Sequence, residues 1–150
     1  MHNITLIKGD GIGPEITDAV VKIIKAAGVD ILWDIQTAGA DVIEKEGVPL
    51  PQRVIDSVKR NKIALKSPVT TPIGRGFRSV NVQLRKDLDL YANLRPCYNL
   101  PNIETRYENV DIVVVRENTE DLYAGIERQV DENTAESIKI RSEEHTSELQ

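Results

Sequence analysis

Apolar positions recur at helical spacing near the start of the chain. Ile16, Ala19, Val20, Ile23, Ile24 and Ala27 fall at i, i+3, i+4, i+7, i+8 and i+11, which is one continuous apolar face. The spacing predicts a helix over 14–27, with Pro14 suited to its first turn, Glu15 to its positive end and Gly28 to its stop. Short apolar runs predict strands at 4–8, 31–35, 62–66, 89–95 and 110–116. Helices are expected over 39–46, over 51–60 and from 79 to about 88, while Pro68, Pro72, Gly74 and Gly76 make 67–78 a loop. Strands and helices alternate, so the expected fold is α/β: an open sheet with helices on both faces.

The chain has 150 residues, one ordinary domain by length, and 40% hydrophobic content, enough to bury a core. A net charge of −5 and only 4% aromatics argue against a nucleic-acid partner, and no run is apolar enough for a membrane span. Cys97 is the only cysteine, and His2 and His145 are the only histidines. A disulfide framework, a Cys-rich zinc site and chemistry built on a histidine base are therefore excluded. With no signal sequence or Arg-rich presequence ahead of the first strand, the expectation is a cytoplasmic setting.

The turn Lys8-Gly9-Asp10-Gly11-Ile12-Gly13-Pro14-Glu15 follows a strand and opens a helix. It does not fit G-x-G-x-x-G: the sixth position is Pro14 counted from Gly9, and Ile16 counted from Gly11. No Gly-Lys-Ser/Thr follows, so it is not a P-loop either. Gly and Pro account for it as a tight turn into a helix.

The chemistry-bearing stretch is 66–123. Thr70 and Thr71 lie in a loop at a strand end, where α/β sheets place ligands. Ser79 stands where the next helix should begin, and Asn81 and Arg85, four apart, share one of its faces. Arg95 and Arg116 follow at strand ends. A hydroxyl, an amide and guanidinium groups near helix and strand ends suit a substrate with several carboxylates. The same residues also read as an N-cap, a first-turn residue and surface ion-pair partners. Tyr123 has the chemistry of an acid–base residue and equally that of a packing side chain.

Four long motifs narrow this choice: GDGIGPE at 9–15, KSPVTTPIG at 66–74, FRSVNVQLRKDLDLYANLRP at 77–96 and VRENTEDLYAGIE at 115–127. In this order the sequence resembles the isocitrate/isopropylmalate dehydrogenase family of β-decarboxylating dehydrogenases, over residues 3–140. The resemblance implies a dinucleotide-binding fold that is not a Rossmann fold. It implies Ser79 and Asn81 as contacts to the carboxylate that isopropylmalate lacks, and Arg85, Arg95 and Arg116 as clamps on the other carboxylates. It further implies Tyr123 as the catalytic acid and Thr70 and Thr71 on the nicotinamide side of the cofactor. The implied reaction is oxidative decarboxylation of isocitrate, a tricarboxylate, to 2-oxoglutarate. NAD is the expected cofactor, with NADP an alternative, alongside Mg²⁺ or Mn²⁺ and a homo-oligomer. None of the family's metal ligands is expected within this stretch. A homoisocitrate or isopropylmalate enzyme and a non-catalytic regulatory subunit are the other readings.

The expected organisation is the first part of a large domain over 1–124, the opening of a dimerisation domain over 125–140, and a foreign tail over 141–150. The tail reads RSEEHTSELQ, and all ten residues match a translated sequencing-library adapter.

Overall fold

A computed structural model describes residues 2–70 and 79–142. The chain divides into two compact units, Met1–Leu88 and Asp89–Gln150.

In the first unit, β1 (His2–Ile7), α1 (Gly13–Ala26), β2 (Ile31–Gln36), α2 (Ala40–Glu46), α3 (Gln52–Asn61), β3 (Ala64–Lys66) and α4 (Val80–Asp87) follow one another. The strands form a parallel sheet in the order β2-β1-β3, with Leu6 opposite Ile35 on one side and Leu65 on the other. Successive residues of β1 point to opposite faces. Thr5 and Ile7 face α3: the Thr5 and Ser57 hydroxyls are 2.7 Å apart, and Ile7 packs with Val54 and Ile55. Leu6 points the other way and is also buried, so both faces of the central strand are covered. This is the expected α/β arrangement. The core continues through Ala38 and Leu50 to Val80 and Leu84 of α4.

The helix α1 covers only part of the face its apolar periodicity predicts, with Val20 and Ile24 half-buried. Gly13 and Thr17 are its buried residues, whereas Ile16 is 43% and Ile23 68% exposed. A Cβ at Gly13 would overlap the Lys8 carbonyl oxygen, so the glycine lets the helix start sit against the chain that leaves β1. The Thr17 hydroxyl turns back to the Gly13 carbonyl at 2.7 Å.

The second unit holds two antiparallel pairs: β4 (Ala92–Tyr98) with β5 (Asp111–Glu117), and β6 (Asp121–Gln129) with β7 (Ala135–Ile140). The strand expected at 89–95 is displaced toward the C-terminus and runs through Pro96, which pairs with Val113. A two-stranded ribbon has only edge strands, where the missing proline N–H costs no central ladder bond. The β6–β7 hairpin was not anticipated from the pattern. It closes through Val130 N–H to the Thr134 carbonyl at 2.9 Å and has an irregular register between Asp121 and Ile126, where Gly125 takes a φ of 67°.

Candidate active site

Each unit carries part of the predicted constellation. In the first unit, Ser79 occupies the N-cap position of α4, yet its side chain makes no cap hydrogen bond. Asn81 and Arg85 lie one position round from the buried row of Val80 and Leu84, and both are half-buried. Core packing of Val80 and Leu84 thus sets the face on which the amide and the guanidinium stand.

Lys66, at the end of β3, was not singled out in the sequence. It is half-buried and donates from Nζ to the Ser67 carbonyl at 2.8 Å. Burial depresses its pKa, the Arg85 charge depresses it further, and the Asp10 charge opposes both. Neither Lys66 nor Arg85 forms an ion pair among the described residues. Two partly desolvated cations held near each other suit an anion. The available signal was a lysine at a strand end directly before the hydroxylated loop.

Thr70 is exposed, and its N–H donates to Asp10 Oδ1 at 2.8 Å. Thr71 lies outside the described residues. The glycine-rich turn is explained by steric closeness: a Cβ at Gly9 would overlap the Pro68 carbonyl oxygen, and Gly9 has a φ of 68°. The turn is packed against the exit of β3.

In the second unit, Arg95, Arg116 and Tyr123 line one open cavity of about 560 Å³, together with Glu117, Asp121 and Arg141. Arg116 Nη2 donates to the Tyr123 hydroxyl, and its guanidinium carbon stands 5.6 Å from the ring centroid. Three carboxylates, Glu117, Glu120 and Asp121, also line this cavity, and each is engaged locally, Glu120 Oε2 by the Ser142 N–H at 2.7 Å. Burial works against ionised Glu117. The Thr119 N–H and hydroxyl, at 2.7 and 2.8 Å, and the Glu120 N–H at 3.0 Å outweigh it and keep its pKa below the usual range. Asp121 pairs with Lys139 at 3.0 Å and with Arg141 at 3.4 Å. Arg95 and Arg116 stand beside these carboxylates without an ion pair to them among the described residues. A larger cavity of about 810 Å³ lies along the β4–β5 connection, but Asn99, Asn102, Glu104, Thr105 and Glu108 line it and offer an anion no cation.

For a divalent cation, the described residues gather no group of three His, Cys, Asp or Glu side chains. The Mg²⁺ or Mn²⁺ that the resemblance implies finds no ligand set in them. No helix among the described residues is long and apolar enough to cross a membrane.

The fold is that of an α/β protein with polar groups at its strand ends, where such sheets place ligands. The chain belongs to the isocitrate/isopropylmalate dehydrogenase family, whose sequence profile matches residues 3–149. It is 50% identical over 136 residues to the mitochondrial NAD-dependent isocitrate dehydrogenase catalytic subunit 5 of Arabidopsis thaliana, covering 91% of this chain and 36% of that protein. It is equally 50% identical over 136 residues to the chloroplastic 3-isopropylmalate dehydrogenase of Solanum tuberosum, covering 91% of this chain and 38% of that one. The crystal structure of isocitrate dehydrogenase from Methylococcus capsulatus superposes with a TM-score of 0.86 at 53% identity, over 97% of this chain and 44% of that one. The chain thus spans about two-fifths of the length of the relatives it matches.

The expected cytoplasmic setting is overturned. Seven matched isocitrate dehydrogenase subunits, from Arabidopsis thaliana, Drosophila melanogaster, Dictyostelium discoideum and Caenorhabditis elegans, are mitochondrial by name. The lone exposed Cys97 calls only for a reducing compartment, which is not the cytoplasm alone.

Proposed function

We propose that this chain is part of an NAD-dependent isocitrate dehydrogenase that oxidises and decarboxylates isocitrate to 2-oxoglutarate. The observation that carries this reading is at the head of α4. Ser79 stands in the N-cap position without capping, so its hydroxyl is not committed to the helix, and Asn81 and Arg85 share the adjoining face. A helix N-terminus with these groups favours a carboxylate over an alkyl group.

In this reading Arg85, Arg95 and Arg116 bind and orient the carboxylates of the tricarboxylate. Thr70 and Thr71 would hold the nicotinamide side of NAD, which when bound would supply the hydride acceptor for the alcohol carbon. Loss of carbon dioxide leaves an enolate, to whose carbon Tyr123 delivers its phenolic proton. Arg116 fixes where that hydroxyl sits. The catalytic site needs residues beyond this chain, and the whole protein works as a homo-oligomer. Residues 1–124 open a large domain, 125–140 begin a dimerisation domain, and 141–150 are foreign. Ser142 N–H donates to Glu120 Oε2 at 2.7 Å, and 143–150 lie outside the described residues.

The equal identity to a 3-isopropylmalate dehydrogenase favours that enzyme as the second reading. The test uses a completed chain: residues 1–140 continued by the corresponding remainder of the Methylococcus capsulatus enzyme. Steady-state assays with isocitrate and 3-isopropylmalate, each with NAD and NADP, should show isocitrate with NAD turned over best. Preference for 3-isopropylmalate establishes the second reading, preference for NADP corrects the cofactor, and no turnover of either acid overturns the dehydrogenase assignment.

A further inference from the structure

Asp10 lies in the turn between β1 and α1 and is only 5% exposed. Its two carboxylate oxygens serve two distant stretches of chain. Oδ1 accepts the Thr70 N–H at 2.8 Å, across 60 residues of sequence, and Oδ2 accepts the Ala40 N–H at 2.8 Å, across 30. Its own carbonyl accepts the Gly13 N–H at 2.8 Å. One residue therefore ties the start of α1, the first N–H of α2 and the exit of β3 together. Gly39 makes room for this: it has a φ of 112°, and a Cβ there would overlap Oδ2. The arrangement is demanding, because both partners are donors and the site has space for one short carboxylate. Its outer end is Thr70, which is exposed four residues past the end of β3.

We propose that Asp10 is a positioning residue for dinucleotide binding, holding the 67–70 turn at a fixed place against the start of α2. The proposal rests on the reading that Thr70 faces the cofactor. Asp10 touches no reacting group in it and acts through Thr70, whose backbone N–H and side chain both hydrogen-bond its carboxylate. Asn at this position keeps the size and one acceptor but turns an NH₂ toward one of the two N–H donors. Size is then conserved while one half of the clamp becomes repulsive.

The experiment compares the completed chain with its Asp10→Asn variant. The KM for NAD should rise about tenfold, the size expected for losing one hydrogen bond to a charged group. The kcat at saturating NAD and the KM for isocitrate should stay within about twofold. Amide hydrogen exchange should show lost protection at Thr70 or Ala40. A role confined to stability would lower the melting temperature and leave the KM for NAD unmoved, and that result overturns the proposal. If Asp10→Asn does not yield folded protein, Gly39→Ala is measured instead; its added methyl crowds Oδ2 and should raise the KM for NAD alone. Failure of both variants to fold overturns the proposal, because the clamp is then a folding requirement. A parent protein that turns over neither acid overturns the functional reading and this assignment with it.

Discussion

The Arg116 guanidinium donates to the Tyr123 hydroxyl from the preceding strand, with its carbon 5.6 Å from the ring centroid. A tyrosine kept only for packing does not need a cation on its oxygen. If the phenol delivers a proton to the enolate, Tyr123→Phe in the completed chain should lower kcat by roughly a hundredfold or more, the usual size for loss of a general acid. The KM for isocitrate should change little. Steady-state kinetics at saturating NAD measures both. An unimpaired kcat returns Tyr123 to packing.

Specificity is the second expectation, and it sits at the head of α4. Replacing Ser79 and Asn81 by Leu removes a hydroxyl and an amide from the carboxylate receptor. Each lost hydrogen bond to a charged group should cost about 1.5–3 kcal/mol, roughly ten- to a hundredfold in kcat/KM for isocitrate. The apolar pocket should accept 3-isopropylmalate better than before. Ser79→Asp should impair isocitrate turnover further by setting like charge against the substrate. Retention of near-normal turnover by Ser79→Asp would place Ser79 outside the substrate site.

The sheet of the first unit was legible because its strands are compact apolar runs between strong punctuation: Gly28 ends α1, and Pro49 and Pro51 part α2 from α3. The orientation of α1 was not. Periodicity identifies the greasiest face, but Gly13 and Thr17 set the closest approach, and smallness leaves no hydrophobic signal. The β6–β7 hairpin escaped because it contains no long apolar run; Ile126, Val130, Ile138 and Ile140 are spread among charged residues. Arginines and Tyr123 were legible as residue types, and only the pairing of the strands brings Arg95, Arg116 and Tyr123 to one cavity. Asp10 and Lys66 were passed over because their significance lies in partners far away in sequence: Ala40 and Thr70 for the first, Arg85 for the second.

Both faces of the β4–β5 ribbon are open and apolar: Leu94 is 65%, Val113 60%, Val114 45% and Val115 66% exposed. An unprotected edge with such side chains invites pairing with another copy. The 150-residue chain on its own should therefore self-associate at micromolar concentration. Sedimentation velocity should show this, and Val113→Lys with Val115→Lys should shift the chain toward monomer. A monodisperse monomer for the parent chain would contradict the expectation.

Asp34 anchors the buried hydroxyl chain beneath α3, and its charge should be felt in the acid range. Ser57 donates to Asp34 Oδ2 at 2.7 Å, and Asn61 donates to the Thr5 hydroxyl oxygen at 2.9 Å. The Ser57 proton being spent on Asp34, Thr5 must donate in the 2.7 Å contact between the two hydroxyls. Donors thus run from Asn61 through Thr5 and Ser57 to the carboxylate. The Ser57 bond first, then Gln36 at 2.8 Å, with Arg60 and Asn61 adding, lower the Asp34 pKa from 3.8 to about 2. A carboxyl whose folded pKa lies below its unfolded value stabilises the fold above the unfolded value and loses that contribution as pH falls through the folded one. The stabilisation from Asp34 is therefore complete above about pH 4 and fades between roughly pH 4 and 2. Asp34→Ala takes the carboxylate acceptor from the fully buried Ser57 hydroxyl, which keeps its Thr5 contact, and should cost about 1–3 kcal/mol near neutral pH. Urea denaturation of the completed chain and this variant, followed from pH 7 to pH 2, should show the gap between them narrowing only below about pH 4. A gap that stays constant to pH 2 would show that the carboxylate charge contributes nothing and that only the shape of the side chain matters.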